Sequence, residues 1–176
     1  VLGYDLLKLC AEGPIEELTK SHQAQPAIFV VSQAARIALA HALGGKLAVA
    51  GTAGHSLGEW AALHEAGVIS FADAVRVLRA RGQFMQEACE ATPGGMLTLI
   101  GLPLDKVQEV AQASGLEVAN LNSPVQTVLS GHADRIAAGE AAAKAAGADE
   151  ITIYRGDAID ELNLWPAIAE IVKRER

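Results

Sequence analysis

A mixed α/β fold in two parts is predicted by three features of this chain. A short apolar run, "KLAVAGTAG", leads into "HSLGEWAALHEAG", which has helical spacing. A strand-to-helix turn therefore falls near residue 56. At "ATPGG", residues 91–95, the texture of the sequence changes. Beyond that point strand-like and helical segments follow in the order β-α-β-β-α-β.

The bulk composition bounds the function classes. The 176 residues suit one domain, or a core with a small inserted lobe. Hydrophobic residues make up 51% and aromatics only 4%, so Ala, Val, Leu and Ile must pack the core. A net charge of -7 argues against nucleic acid or an anionic membrane as partner. Cys10 and Cys89 make no disulfide framework, which favours a reducing compartment. No apolar run reaches about 18 residues, the rough minimum for a membrane span. No signal peptide is expected.

The elements follow in order. "YDLLKLCAEG" predicts a short helix ended by Gly13, and "PIEELTKS" a second with Pro14 at its start. "QPAIFVVSQAARIALAHALGG" predicts a longer helix with Pro26 near its start. Ile28, Phe29 and Val30 are adjacent, so this helix is expected to be apolar all round and buried. "KLAVAGTAG" fits a buried strand, and "LGEWAALHEAG" a helix closed by Gly67. Ser70 is placed to cap the helix "FADAVRVLRARGQFMQEAC".

The second part begins with the strand-like "MLTLIGL" and the amphipathic helix "PLDKVQEVAQASG". "LEVANLNSP" and "QTVLSGH" predict two strands turning at Asn122-Ser123-Pro124. "ADRIAAGEAAAKAAGA" is a helix and "DEITIYRG" a strand, which completes a ferredoxin-like βαββαβ lobe. The tail, "DAIDELNLWPAIAEIVKRER", returns to helix.

Gly54-His55-Ser56-Leu57-Gly58 fits G-x-S-x-G, with Ser56 on a sharp strand-to-helix turn. Glycine on either side permits a close and strained approach. The helix start behind it supplies free N–H groups for a developing oxyanion, and the Leu57 N–H is the natural donor. A glycine-rich turn with a capping serine has the same pattern, so at this level both readings stand.

With "GHSLGEWAAL" the chain resembles the malonyl-CoA:acyl carrier protein transacylases and the acyltransferase domains of polyketide synthases. "VLGYDLLKLCAEGP", "QPAIFVVS", "RGQFMQEA", "GGMLTLIGL" and "VANLNSPVQTVLSG" agree with that family in order and spacing, over about residues 1–154. The resemblance implies an α/β-hydrolase-like large lobe with an incomplete parallel sheet over residues 1–92 and 155–176. The ferredoxin-like lobe occupies 93–154. It implies acyl transfer in which Ser56 attacks malonyl-CoA and passes the malonyl ester to the phosphopantetheine thiol of acyl carrier protein. Arg81 would hold the free carboxylate. Gln25, Asn120 and Asn122 match positions near the substrate pocket, and turn chemistry explains the two asparagines equally well. His55 reads as a structural or pocket-lining residue and not the base, and Met85 as packing in the core or against the pocket wall. Coenzyme A enters as a thioester substrate, with no resident cofactor and no metal. The expected compartment is the cytoplasm, with a mitochondrial or plastid matrix as alternative. Lys106 and Lys144 are candidates to meet an acidic carrier.

Two pieces of the family pattern are not found in the chain. One is the glycine-rich loop that donates a second N–H to the oxyanion. The other is the segment bearing the base histidine. The histidines present are His22, His41, His55, His64 and His132. His41 and His64 read as solvated helix residues, as do Arg76 and Arg79. Asp157, Asp160 and Glu161 occupy the place of the base segment, and a carboxylate is a much weaker base for serine than imidazole. Two alternatives therefore accompany the transferase. One is a coenzyme A or carrier-protein binding module without turnover. The other is a general serine hydrolase, which needs a well-placed histidine after the serine.

Overall fold

A computed structural model describes residues 1–45 and 47–155 of the chain. The described residues form a mixed α/β fold with a small antiparallel sheet. It divides into two compact units, one comprising Val1–Glu87 and the other beginning at Ala88.

The first unit is helical among the described residues: α1 (Leu6–Glu12), α2 (Ile15–Leu18), α3 (Ser21–Ala42), α4 (Gly58–Glu65) and most of α5 (Phe71–Ala91). Helix starts follow local chemistry. The Asp5 carboxylate accepts the Lys8 N–H at 2.9 Å ahead of α1. The Ser70 hydroxyl accepts the Asp73 N–H at 3.1 Å ahead of α5, which is the expected cap. The core gathers Leu2, Leu6, Leu18, Ala27, Phe29, Ala74, Val75 and Leu78.

Helix α3 departs from expectation in two ways. It begins at Ser21, so Pro26 lies inside it, where the ring removes the N–H that would bond the His22 carbonyl. It is also buried on one face only. Gln25, Pro26, Ala27, Phe29 and Gln33 face inward, while Ile28, Ile37 and Leu39 are exposed. Adjacent apolar residues on a helix point in different directions, and this unit covers only one of them.

The strand expected at "KLAVAGTAG" is absent: residues 47–55 are irregular, and Val49 is 50% exposed. With it goes the parallel sheet expected of the first part, among the described residues. A strand exists only by pairing with a neighbour, and the described residues of this unit contain no second strand.

The second unit runs β1 (Gly94–Ile100), α6 (Leu104–Ser114), β2 (Glu117–Ser123), β3 (Gln126–His132), a short 3₁₀ turn (Ala133–Arg135), α7 (Ile136–Ala146) and β4 (Glu150–Arg155). The strand order is β2-β3-β1-β4 and every pairing is antiparallel. In register, Leu97 faces Leu129 on one side and Ile153 on the other. Leu97, Leu99 and Leu129 pack with Val107, Val110, Leu116, Ile136 and Ala143 from the helices and their connections. The β2–β3 turn is at Pro124–Val125, so Asn122 and Ser123 belong to the strand. The predicted helical tail, with Asp157, Asp160 and Glu161, lies outside the described residues.

Candidate active site

The site is built by the first unit, around the turn that precedes α4. The Gly58 N–H donates to the His55 carbonyl at 2.9 Å, which leaves Ser56 and Leu57 as the central residues of a tight turn. Ser56 has φ +53°, and among the described residues it is the one non-glycine with positive φ. Holding an L-residue there costs roughly 1–2 kcal/mol. The cost places the hydroxyl at the outside of the bend, where Ser56 is exposed.

The two glycines of the motif do different things. A Cβ on Gly54 would stand 2.0 Å from the Gly58 carbonyl oxygen, so only glycine lets the chain fold back against the start of α4. A Cβ on Gly58 would meet nothing within 4 Å. The amides of Gly58, Glu59 and Trp60 are taken by the carbonyls of His55, Ser56 and Leu57. No acceptor takes the Leu57 N–H among the described residues. That leaves a free donor beside Ser56 at the positive end of α4.

Arg81 reaches the turn from α5. Its Nη2 donates to Ser56 Oγ at 3.0 Å, and its Nη1 donates to Gln25 Oε1 at 2.5 Å. Gln25, 6% exposed on α3, uses its other group as well: Nε2 donates to Met85 Sδ at 3.2 Å. Ser56, Arg81, Gln25 and Met85 are thus joined in one chain of hydrogen bonds. An arginine is a permanent cation with donors only, so Arg81 cannot take the serine proton. It donates to Oγ, leaving the hydroxyl proton free, and its charge favours a developing alkoxide.

The remaining predicted residues are not part of that chain. His55 is exposed, while Asn120 and Asn122 lie on β2 of the second unit. No histidine is bonded to Ser56 among the described residues; Arg81 is its side-chain partner. His132 pairs instead with Asp134, Nδ1 to Oδ1 at 2.8 Å.

Three supports of the site were not anticipated. His64 is a packing residue, not a solvated one: its ring stands edge-on to Phe29 and to Phe71, with centroids 5.8 Å away in each case. Its Nδ1 is 3.0 Å from the Ile69 carbonyl, which ties α4 to the connection leading into α5. Arg36 of α3 forms an ion pair with Glu65 of α4 and donates Nη2 to Oε1 at 2.6 Å. Arg79 also departs from the solvated role: it donates to the Leu2 carbonyl at 2.6 Å and lies 6.0 Å from the Tyr4 ring centroid. The i,i+4 step from Arg81 to Met85 on one helix face was the available sequence signal for the network itself. The long-range supports had none.

A strained serine with a free amide behind it and a guanidinium in contact is a serviceable arrangement for acyl transfer through an ester. Residues 1–154 match the acyl transferase domain model, and the chain belongs to that family. Among curated relatives, it is 48% identical over 152 residues to the malonyl CoA-acyl carrier protein transacylase of Escherichia coli O157:H7, covering 84% of this chain and 48% of that one. Among solved structures, the malonyl CoA-acyl carrier protein transacylase of Coxiella burnetii superposes with TM-score 0.76 at 38% identity, covering 88% of this chain and 49% of that one. A type II polyketide malonyl-transacylase, solved in complex with its acyl carrier protein, gives TM-score 0.74 at 42% identity, covering 88% and 50%. The chain spans about half the length of the curated relatives it matches.

Proposed function

We propose that this chain carries the nucleophile and the carboxylate-binding group of a malonyl-CoA:acyl carrier protein transacylase. The observation that supports it most directly is the 3.0 Å contact between Arg81 Nη2 and Ser56 Oγ on the turn at φ +53°. Ser56 Oγ attacks the thioester carbonyl of malonyl-CoA. The C–S bond breaks, coenzyme A leaves as the thiol, and the malonyl group remains as an ester on Oγ. The Leu57 N–H is the oxyanion donor. The thiol of the carrier protein's phosphopantetheine arm then attacks the ester and regenerates the hydroxyl. Arg81 holds the free carboxylate of the malonyl group in both halves of the cycle.

In this reading the first unit belongs to an α/β-hydrolase-like lobe, and the βαββαβ unit is a ferredoxin-like lobe. The compartment is the cytoplasm or an organelle matrix; no described helix is long and apolar enough to cross a membrane. Lys106 and Lys144, offered to an acidic carrier, are each paired on their own helix, with Glu109 at 2.8 Å and Glu140 at 2.5 Å.

A second reading, a binding module without turnover, is favoured by one observation: no imidazole is bonded to Ser56 among the described residues. Intact-mass analysis after mixing with malonyl-CoA separates the two. One added malonyl group, lost in Ser56→Ala, supports transfer. Saturable calorimetric binding of malonyl-CoA with no adduct supports the module.

A further inference from the structure

We propose that Gln25 and Met85 form a positioning clamp behind Arg81, in which the Met85 sulfur accepts the Gln25 N–H and so holds the amide oxygen toward the guanidinium. The clamp thereby tunes the preference for an acyl group ending in a carboxylate. This rests on the transferase reading given above.

The amide of Gln25 is buried at 6% exposure, so each of its polar ends needs a partner. Arg81 offers only N–H donors, and a thioether offers only a weak acceptor. One orientation satisfies both: oxygen toward Nη1 at 2.5 Å, nitrogen toward sulfur at 3.2 Å. The flipped amide would set N–H against the guanidinium and oxygen against sulfur, unfavourable at both ends. The guanidinium therefore selects the flip, Met85 holds it by accepting the other end, and Gln25 anchors Nη1.

The anchor matters because Arg81 has two clients. In the free protein Nη2 serves Ser56 Oγ. A malonyl ester on Ser56 brings a carboxylate to the same guanidinium. With Nη1 held by Gln25, the plane of the fork is fixed while Nη2 changes partner. A carboxylate acceptor is worth more than a hydroxyl, so the exchange favours malonyl over an acyl group without a carboxylate. Without the anchor, part of that preference goes into ordering a free arginine. Gln25 acts through Arg81, so it is a positioning residue in this scheme.

The test combines a selectivity ratio with an independent view of the guanidinium, using the full chain. The ratio is the rate of Ser56 acylation by malonyl-CoA over that by acetyl-CoA, followed by intact mass. The second readout is the nitrogen-15 spectrum of Arg81, where restricted rotation separates the Nη signals. The expected result is a ratio lowered about tenfold in Met85→Leu and more in Gln25→Leu, with the Nη signals averaged in both. Gln25→Met serves if Gln25→Leu does not fold. Gln25→Glu keeps an acceptor on Nη1, so the signals stay separate, yet its negative charge offsets that of the guanidinium and the ratio still falls. Unchanged ratio and unchanged signals in Met85→Leu would overturn the role of the sulfur. The same outcome in the Gln25→Leu or Gln25→Met protein would overturn the clamp. If the unmodified chain takes up neither thioester, the transfer reading falls and the Arg81 signals alone decide the clamp.

Discussion

Gly82 of α5 lies directly against the main chain of α3: a Cβ there would stand 2.3 Å from the Ser21 carbonyl oxygen and 2.6 Å from the His22 Cα. Both obstacles are backbone, so neither can swing aside. This close approach lets the residue before it, Arg81, meet Gln25. Gly82→Ala is expected to push the helices apart, costing about 1–3 kcal/mol as overpacking does. The Arg81–Gln25 bond should be lost with it. Thermal unfolding of the variant, together with Arg81→Ala as reference, checks this; an unchanged midpoint would mean the helices have slack.

The residues that could be read from sequence are those governed by their neighbours. The Gly54-to-Gly58 turn, the Ser70 cap and the βαββαβ order rest on contacts within a few positions or on simple periodicity. What could not be read depends on partners far along the chain. "KLAVAGTAG" has strand composition, but no sequence window reveals whether another strand lies beside it. His64 looks like a polar helix residue until Phe29, 35 positions earlier, and Phe71 close around its ring. Gln25 looked like a pocket residue; that both ends of its amide are occupied emerges only when α3 and α5 are laid side by side.

Replacing Ser56 should separate stability from chemistry. Its φ of +53° is a conformation glycine adopts freely. Ser56→Gly is expected to raise stability by about 0.5–1 kcal/mol, the relief of left-handed strain less the extra freedom of the unfolded chain. On the proposed transferase reading, the acyl adduct should vanish at the same time. Denaturant midpoints and intact mass on the same preparation decide it; a destabilised Ser56→Gly protein would argue that the serine hydroxyl holds the turn together.

Helix α5 carries Arg81, and its start titrates. The Asp73 carboxylate accepts the Ser70 hydroxyl and Arg76 Nη1, each at 2.6 Å, and these hold its pKa below the ordinary value of 3.8. A carboxyl depressed in the folded state stabilises above its unfolded pKa and loses that contribution as pH falls through the folded value. Stability should therefore fall on acidification below about pH 4, and less steeply in Asp73→Asn. Ser70→Ala should cost about 1 kcal/mol at neutral pH through loss of the cap. Urea titrations across the acid range would show it, and parallel curves for the parent and Asp73→Asn would exclude Asp73 as the source.

Arg81→Lys tests whether a point charge suffices where a fork now stands. Lysine keeps the positive charge but cannot serve two partners in one plane. Nη1 and Nη2 here do so, toward Gln25 and Ser56. A charge-assisted hydrogen bond is worth roughly 1.5–3 kcal/mol, so on the proposed transferase reading the preference for malonyl-CoA over acetyl-CoA should drop about 10- to 100-fold. Acylation by acetyl-CoA should fall much less, because that group presents no carboxylate to hold. Competing the two thioesters in one reaction and reading the adduct masses measures the ratio directly. A lysine variant with the parent's preference would mean that charge alone selects the substrate and that the planar geometry beside Ser56 is incidental.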